Sequence, residues 1–185
     1  YGAGFVFHYE PITRSWTFEQ RLDLIEQLNN ENTGRSACIS GTTIAIASVS
    51  ARDSSGARTG AVTLWEQSGG TWTEQQTLRP SSSYDGAGFG VALDLEGDML
   101  VASYGNSFMN TDPVAYVFER DATGIWHETG VIVPRAQETV DGFGAEIVIV
   151  DEQVLVSAPR GTGALGTDVG AIVVFERDPA TGEWI

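Results

Sequence analysis

Apolar residues in this chain come in short runs, some alternating and some continuous, broken by polar and glycine-rich segments. That patterning predicts β-strands and turns. One unit recurs four times: a β-rich run, a glutamate, a turn and a tryptophan. Its copies are residues 5–16 (FVFHYEPITRSW), 61–72 (AVTLWEQSGGTW), 115–126 (AYVFERDATGIW) and 171–184 (AIVVFERDPATGEW). Each reads as a β-hairpin. The glutamates Glu10, Glu66, Glu119 and Glu176 lie 56, 53 and 57 residues apart, and Trp16, Trp72, Trp126 and Trp184 lie 56, 54 and 58 apart. Self-similarity at this period points to a propeller or a related array.

A second unit lies between the hairpins, at residues 36–48 (SACISGTTIAIAS), 89–103 (FGVALDLEGDMLVAS) and 143–159 (FGAEIVIVDEQVLVSAP). Each copy reads as two short apolar strands around a tight turn: Ser40-Gly41-Thr42, Glu96-Gly97-Asp98 and Asp151-Glu152-Gln153. Ser48, Ser103 and Ser157, 55 and 54 apart, keep the same period. One repeat is therefore four strands. Residues 1–24 supply strands 3 and 4 of one blade, 34–79 and 88–133 two full blades, and 142–185 most of a fourth. Strand 2 is almost continuously apolar, as expected of a strand buried on both faces. The bulky tryptophans and phenylalanines of strands 3 and 4 are expected further out, where the gap between sheets widens. A weak helical period at residues 18–28 reads as strand 4 with an irregular exit.

DGAGFGVALDLEGDMLVASYG and DGFGAEIVIVDEQVLVSAPRGTG, each followed by a strand ending in FER, resemble the FG-GAP repeats of integrin-α-like β-propellers. The FG pairs are Phe89-Gly90 and Phe143-Gly144, and Ser157-Ala158-Pro159 is close to GAP. The first complete repeat has Gly34-Arg35 at that place. The resemblance covers essentially the whole chain. It implies an all-β fold of four-stranded antiparallel blades, about three and a half of them, in a ring that family members usually close with seven. Many members carry a D-x-D-x-D-G calcium loop between strands 1 and 2. Here that connection is a tight turn, and Asp94, Glu96 and Asp98 offer too few oxygens for the six to eight ligands calcium prefers. No metal and no cofactor is therefore expected.

Composition narrows the function. The formal charge of −15 argues against nucleic acid and anionic membrane surfaces, which need a basic footprint. All ten basic residues are arginine, which excludes Schiff-base chemistry and a P-loop lysine. The single cysteine, Cys38, permits no intrachain disulfide and reads as a small buried residue. No apolar run approaches the length of a membrane span, so no membrane insertion is expected. His8 reads as a partly buried strand residue and His127 as an exposed one; neither has the convergent partners of a catalytic constellation. The repeated glutamates recur once per blade, too far apart for a glycosidase pair, and are expected to meet Arg120, Arg177 or hairpin amides. Gly161-Thr162-Gly163-Ala164-Leu165-Gly166 matches G-x-G-x-x-G but leads into a strand, so it lacks the helix N-terminus that would hold a phosphate.

What remains is the side where the 2–3 and 4–1 connections emerge together. Residues 49–59, 104–113 and 160–169 form the first kind and 79–88 and 134–142 the second, all long and polar. Binding residues concentrate on such loops. The expected surface includes Arg52, Asp53, Tyr84, Asn106, Asp112, Arg160 and Asp168, the alternative being plain solvated connections. The expectation is a non-enzymatic module at the cell surface or outside the cell, binding protein or carbohydrate or assisting assembly. A structural filament subunit and the non-catalytic part of a propeller hydrolase or lyase are the alternatives. Half a ring leaves unpaired faces and edges, so the remaining blades are expected from a longer chain or from a second copy.

Overall fold

A computed structural model describes residues 2–24, 31–104, 114–134, 141–161 and 169–185. Among them the chain is all β, with thirteen strands in four antiparallel sheets. Strands β1 (Gly4–Glu10) and β2 (Ser15–Leu22) form the first sheet. The second runs in the order β3 (Thr33–Ser40), β4 (Thr43–Ser48), β5 (Ala61–Ser68), β6 (Thr71–Leu78). The third repeats it with β7 (Phe89–Glu96), β8 (Met99–Tyr104), β9 (Ala115–Arg120) and β10 (Trp126–Ile132). The fourth holds β11 (Ile147–Val150), β12 (Gln153–Ala158) and β13 (Ala171–Phe175), after which Arg177 bridges to Trp184. Neighbours in sequence are neighbours in the sheet throughout, so each sheet is a meander whose tight turns fall where the polar tripeptides stand.

The sheets pack face to face in chain order, and three apolar layers hold them. Between the first and second lie Leu22, Ile44, Ile46, Trp65 and Trp72. Between the second and third lie Ala45, Ala47, Val62 and Leu64 on one side and Phe89, Tyr104, Tyr116, Phe118 and Trp126 on the other. Val101, Ala115, Val117 and Ile132 meet Phe143, Ile149, Val154 and Phe175 between the third and fourth. Strand 2 serves two layers at once: Ile44 and Ile46 face one way and Ala45 and Ala47 the other. All six residues of β4 are buried, which is why its apolar run does not alternate. Each fully buried leucine or valine, such as Leu64 or Val101, contributes about 1.5–3 kcal/mol. The aromatics are not confined to the outer strands: Phe89, at the start of β7, is completely buried against Tyr104, Tyr116 and Phe118.

The Phe-Gly pair has a conformational reason. Gly34, Gly90 and Gly144 all have positive φ, at 87°, 93° and 82°. A Cβ on Gly90 would come within 2.7 Å of the Ala47 Cβ, and one on Gly144 within 2.7 Å of the Ser103 Cβ. Glycine is the residue that accepts both demands. The pairing slips just after this point, between Thr33 and Ala37 and between Phe89 and Leu93, so the strand start swings toward the preceding sheet.

Three details differ from the expectations above. The first repeat keeps its glycine: Thr33-Gly34, not Gly34-Arg35, stands where Phe89-Gly90 stands, because Thr33 pairs with Ser48 as Phe89 pairs with Tyr104. By the same register Ser48 matches Tyr104, and Ser103 matches Ala47, so the three serines are not one position. His8 is exposed, on a β1 whose other strand neighbours are also largely exposed.

Candidate functional site

The loop side is built from the connections 49–60 and 79–88, and the structure knits them into one surface. Arg52 and Arg58 close a small hairpin whose tip is organised by Asp53. The Asp53 Oδ1 accepts from the Ser55 amide at 2.8 Å, the Ser55 hydroxyl at 2.6 Å and the Ala57 amide at 3.1 Å. The Ser55 hydroxyl, with these amides, holds the Asp53 carboxyl below the usual carboxylate range. The Arg52 guanidinium donates to the Gly56 carbonyl at 2.5 Å. From the end of β6, Arg79 donates to the Thr59 hydroxyl at 3.1 Å and to the carbonyls of Gly60 at 2.8 Å and Arg52 at 2.7 Å. Asp85, in the next connection, accepts from the Arg58 amide at 2.7 Å. The Phe89 amide donates to the Thr59 carbonyl at 2.9 Å.

The 79–88 connection is also fixed to the third sheet. The Tyr104 and Tyr116 hydroxyls both donate to the Ser82 carbonyl, the latter at 3.0 Å. Ser81 donates its amide at 2.7 Å and its hydroxyl at 2.6 Å to the Glu128 carboxylate. Tyr84 packs its ring 5.8 Å from that of Tyr104 and leaves its outer side in solvent. Burial pushes the Tyr84 and Tyr104 phenols above their usual values.

The residues expected from the sequence therefore divide. Arg52 and Asp53 shape their own loop, and Tyr84 sits on the connection held against that loop. Arg160 lies on the corresponding side of the fourth sheet, exposed, its amide donating to the Asp141 carbonyl at 3.1 Å. It belongs to the connection that follows β12 in the fourth sheet, whereas Arg52 belongs to the one that follows β4 in the second. Asn106, Asp112 and Asp168 lie outside the described residues. The contributors that sequence reasoning passed over are Arg79, Asp85, Ser81, Ser82 and Glu128. Their signal was composition alone: polar residues in or beside a loop, with partners 19 to 47 positions away.

The opposite side carries the short turns and a cleft of about 330 Å3 between the third and fourth sheets, lined by Glu96, Asp98, Glu119, Arg120, Glu152 and Arg177, with Met99 and Trp184. Here the strand-end glutamates join successive sheets. Arg120 meets Glu66 at 2.9 Å, and Arg177 meets Glu119 at 2.9 Å while lying over the Trp184 ring. Gln67, the residue after Glu66, reaches back in the same sense to Glu19 at 2.8 Å. Asp94 is engaged too: its Oδ2 accepts from the Ile149 amide at 2.7 Å. His127 contacts Asp121 at 2.9 Å on an exposed hairpin whose tip Asp121 also organises. The Thr123 hydroxyl, first among several donors, holds the Asp121 carboxyl well below the carboxylate range. No group of three or more His, Cys, Asp or Glu side chains able to hold a metal ion is present among the described residues.

A second device crosses the layers. The Gln20 side chain brackets the Trp72 peptide, donating to its carbonyl and accepting from its amide, both at 2.8 Å. Gln76 does the same to Trp126 at 2.8 and 3.0 Å. At the third interface the equivalent position is Gly130, and the Trp184 ring lies against it. Neither a protein-family model nor a curated protein matches this chain.

Proposed function

We propose that this chain is a segment of an FG-GAP-like β-propeller whose loop side binds a protein or a carbohydrate, at the cell surface or outside the cell, without catalysis of its own. The observation that carries the reading is the rigid joining of two connections by Arg79 and Asp85, with the exposed ring of Tyr84 above Tyr104. Most polar groups of these loops are spent on each other. What the surface offers a partner is an aromatic face on a fixed base, suited to a sugar ring or an apolar side chain. The four meandering sheets and the Phe-Gly strand starts support the propeller part. The extracellular setting rests on the resemblance alone. The test is binding to immobilised glycans and to a panel of surface proteins, repeated with Tyr84→Ala. A loss of tenfold or more, with the melting temperature unchanged, is expected. Binding untouched by Tyr84→Ala, or footprinted on the short-turn side, overturns it.

A second reading, a subunit of a larger assembly, is favoured by a different observation. The first sheet presents Phe5, Phe7, Tyr9, Trp16 and Phe18 to solvent, and the fourth presents Val148, Val150, Ile172 and Val174. Apolar end faces of this kind call for cover. Further sheets from a longer chain, or a second copy, would provide it.

A further inference from the structure

The two end faces are the two halves of one recurring interface. In the two layers that flank the third sheet, the face turned toward the following sheet contributes aliphatic residues, and the face turned back contributes the aromatics. Val62 and Leu64 meet Tyr116, Phe118 and Trp126; Ala115 and Val117 meet Phe143 and Phe175. Register carries these positions to the ends. Ile172 and Val174 stand where Val62 and Leu64, and Ala115 and Val117, stand. Val62, Leu64, Ala115 and Val117 are all 0 % exposed, whereas Ile172 is 68 % and Val174 48 % exposed. Phe7, which follows the pairing slip of its hairpin, stands where Trp65, Phe118 and Phe175 stand. Those are 5 %, 2 % and 2 % exposed, and Phe7 is 50 %; Tyr9, on the same face, is 42 %. Trp16, opposite Tyr9 in the hairpin, is 69 % exposed against 4 % for Trp72 and 3 % for Trp126. An aliphatic face without its aromatic partner and an aromatic face without its aliphatic one thus lie at opposite ends of one chain.

We propose that a second copy of this chain fills both, the aliphatic face of β11–β13 in one copy seating on the aromatic face of β1–β2 in the next. This deepens the assembly reading and owes nothing to the loop side. The contact is head-to-tail, with different patches on the two partners, so it closes into a ring or continues as a filament. Its chemistry is apolar. Opposite the repeat tryptophan, where Arg120 and Arg177 stand inside the chain, the first hairpin has Tyr9, so the bridge those arginines make is missing between copies. Each copy carries a formal charge of −15, so added salt screens the repulsion and strengthens the association.

Sedimentation of the chain in a concentration series up to about 100 μM, at low and at physiological salt, tests this. Wild type is expected to associate, more so with salt. F7R/Y9R and I172R/V174R, both changed at solvent-exposed positions, are expected to keep the wild-type circular dichroism and to run as monomers. Mixed, they are expected to give a one-to-one complex, since each retains the face the other has lost. A wild type that stays monomeric overturns the proposal. So does a mixture without complex. Association that persists in both variants also overturns it, though that result leaves an assembly through other surfaces standing. Tyr84→Ala is expected to associate as wild type does.

Discussion

Gly90→Ala isolates the reason for the Phe-Gly signature. The backbone there has φ of 93°, and the new Cβ would stand 2.7 Å from the Ala47 Cβ and 3.1 Å from the Val62 Cγ2. The conformation costs about 1–3 kcal/mol for a residue with a side chain. Overlap with a tightly packed neighbour adds about 1–3 kcal/mol, so the total is about 2–6 kcal/mol. Ala47→Gly removes the atom in the way and by itself costs about 1–2 kcal/mol in lost burial and strand entropy. The double variant keeps the backbone term and the approach to Val62 but loses the closer overlap with Ala47, so the two changes couple favourably by about 1–3 kcal/mol. Gly97→Ala is the control: φ is 57°, nothing lies within 4 Å of its Cβ, and only the backbone term applies. Urea unfolding followed by tryptophan fluorescence measures all four, with an unchanged m-value as the condition for comparison. The packing argument is refuted if Gly90→Ala costs no more than Gly97→Ala, or if Gly90→Ala and Ala47→Gly simply add.

Other substitutions probe other links. Gln76→Ala strips two hydrogen bonds from the Trp126 peptide and is expected to cost about 2–4 kcal/mol by urea unfolding, with Gln76→Glu, which can accept but not donate, in between. Arg79→Met leaves three acceptors at the 49–60 connection without their donor and is expected to speed cleavage there in limited proteolysis while the strands stay protected. Burial raises the Cys38 thiol from its ordinary value of 9.0 to about 12, so native protein should react slowly with a thiol reagent at pH 8 and quickly once unfolded. The sign of its pH effect follows: the contribution is fully present below pH 9.0, is lost as the unfolded thiol ionises, and levels off only above about 12. Asp121, depressed in the folded state, should hold its hairpin above the ordinary carboxyl value of 3.8 and release it as the pH falls below that value, read from the His127 and Thr123 resonances.

Local chemistry determined much of this protein before any packing. The four Glu–turn–Trp hairpins, the continuous apolar run of β4 and the tight turns at Gly41 and Gly97 are written in neighbouring residues, where side-chain period and glycine conformation act over a few positions. The strand-end arginines also announced themselves, because each follows a repeated glutamate. Tertiary structure decided the rest. Which serine matches which, and which residue of the first repeat plays the Phe-Gly glycine, depends on pairing slips that move a strand by a residue without altering its composition. The bond from Gln76 to the Trp126 peptide spans 50 positions and ends on a backbone, which carries no residue-type signal. Whether a polar loop residue is free for a partner or spent on its own turn, as Asp53 is, is likewise set by where the chain folds back. The end faces follow the same rule. Phe7 and Trp65 hold the same place in the repeat, and only the presence of a neighbouring sheet makes one core and the other surface.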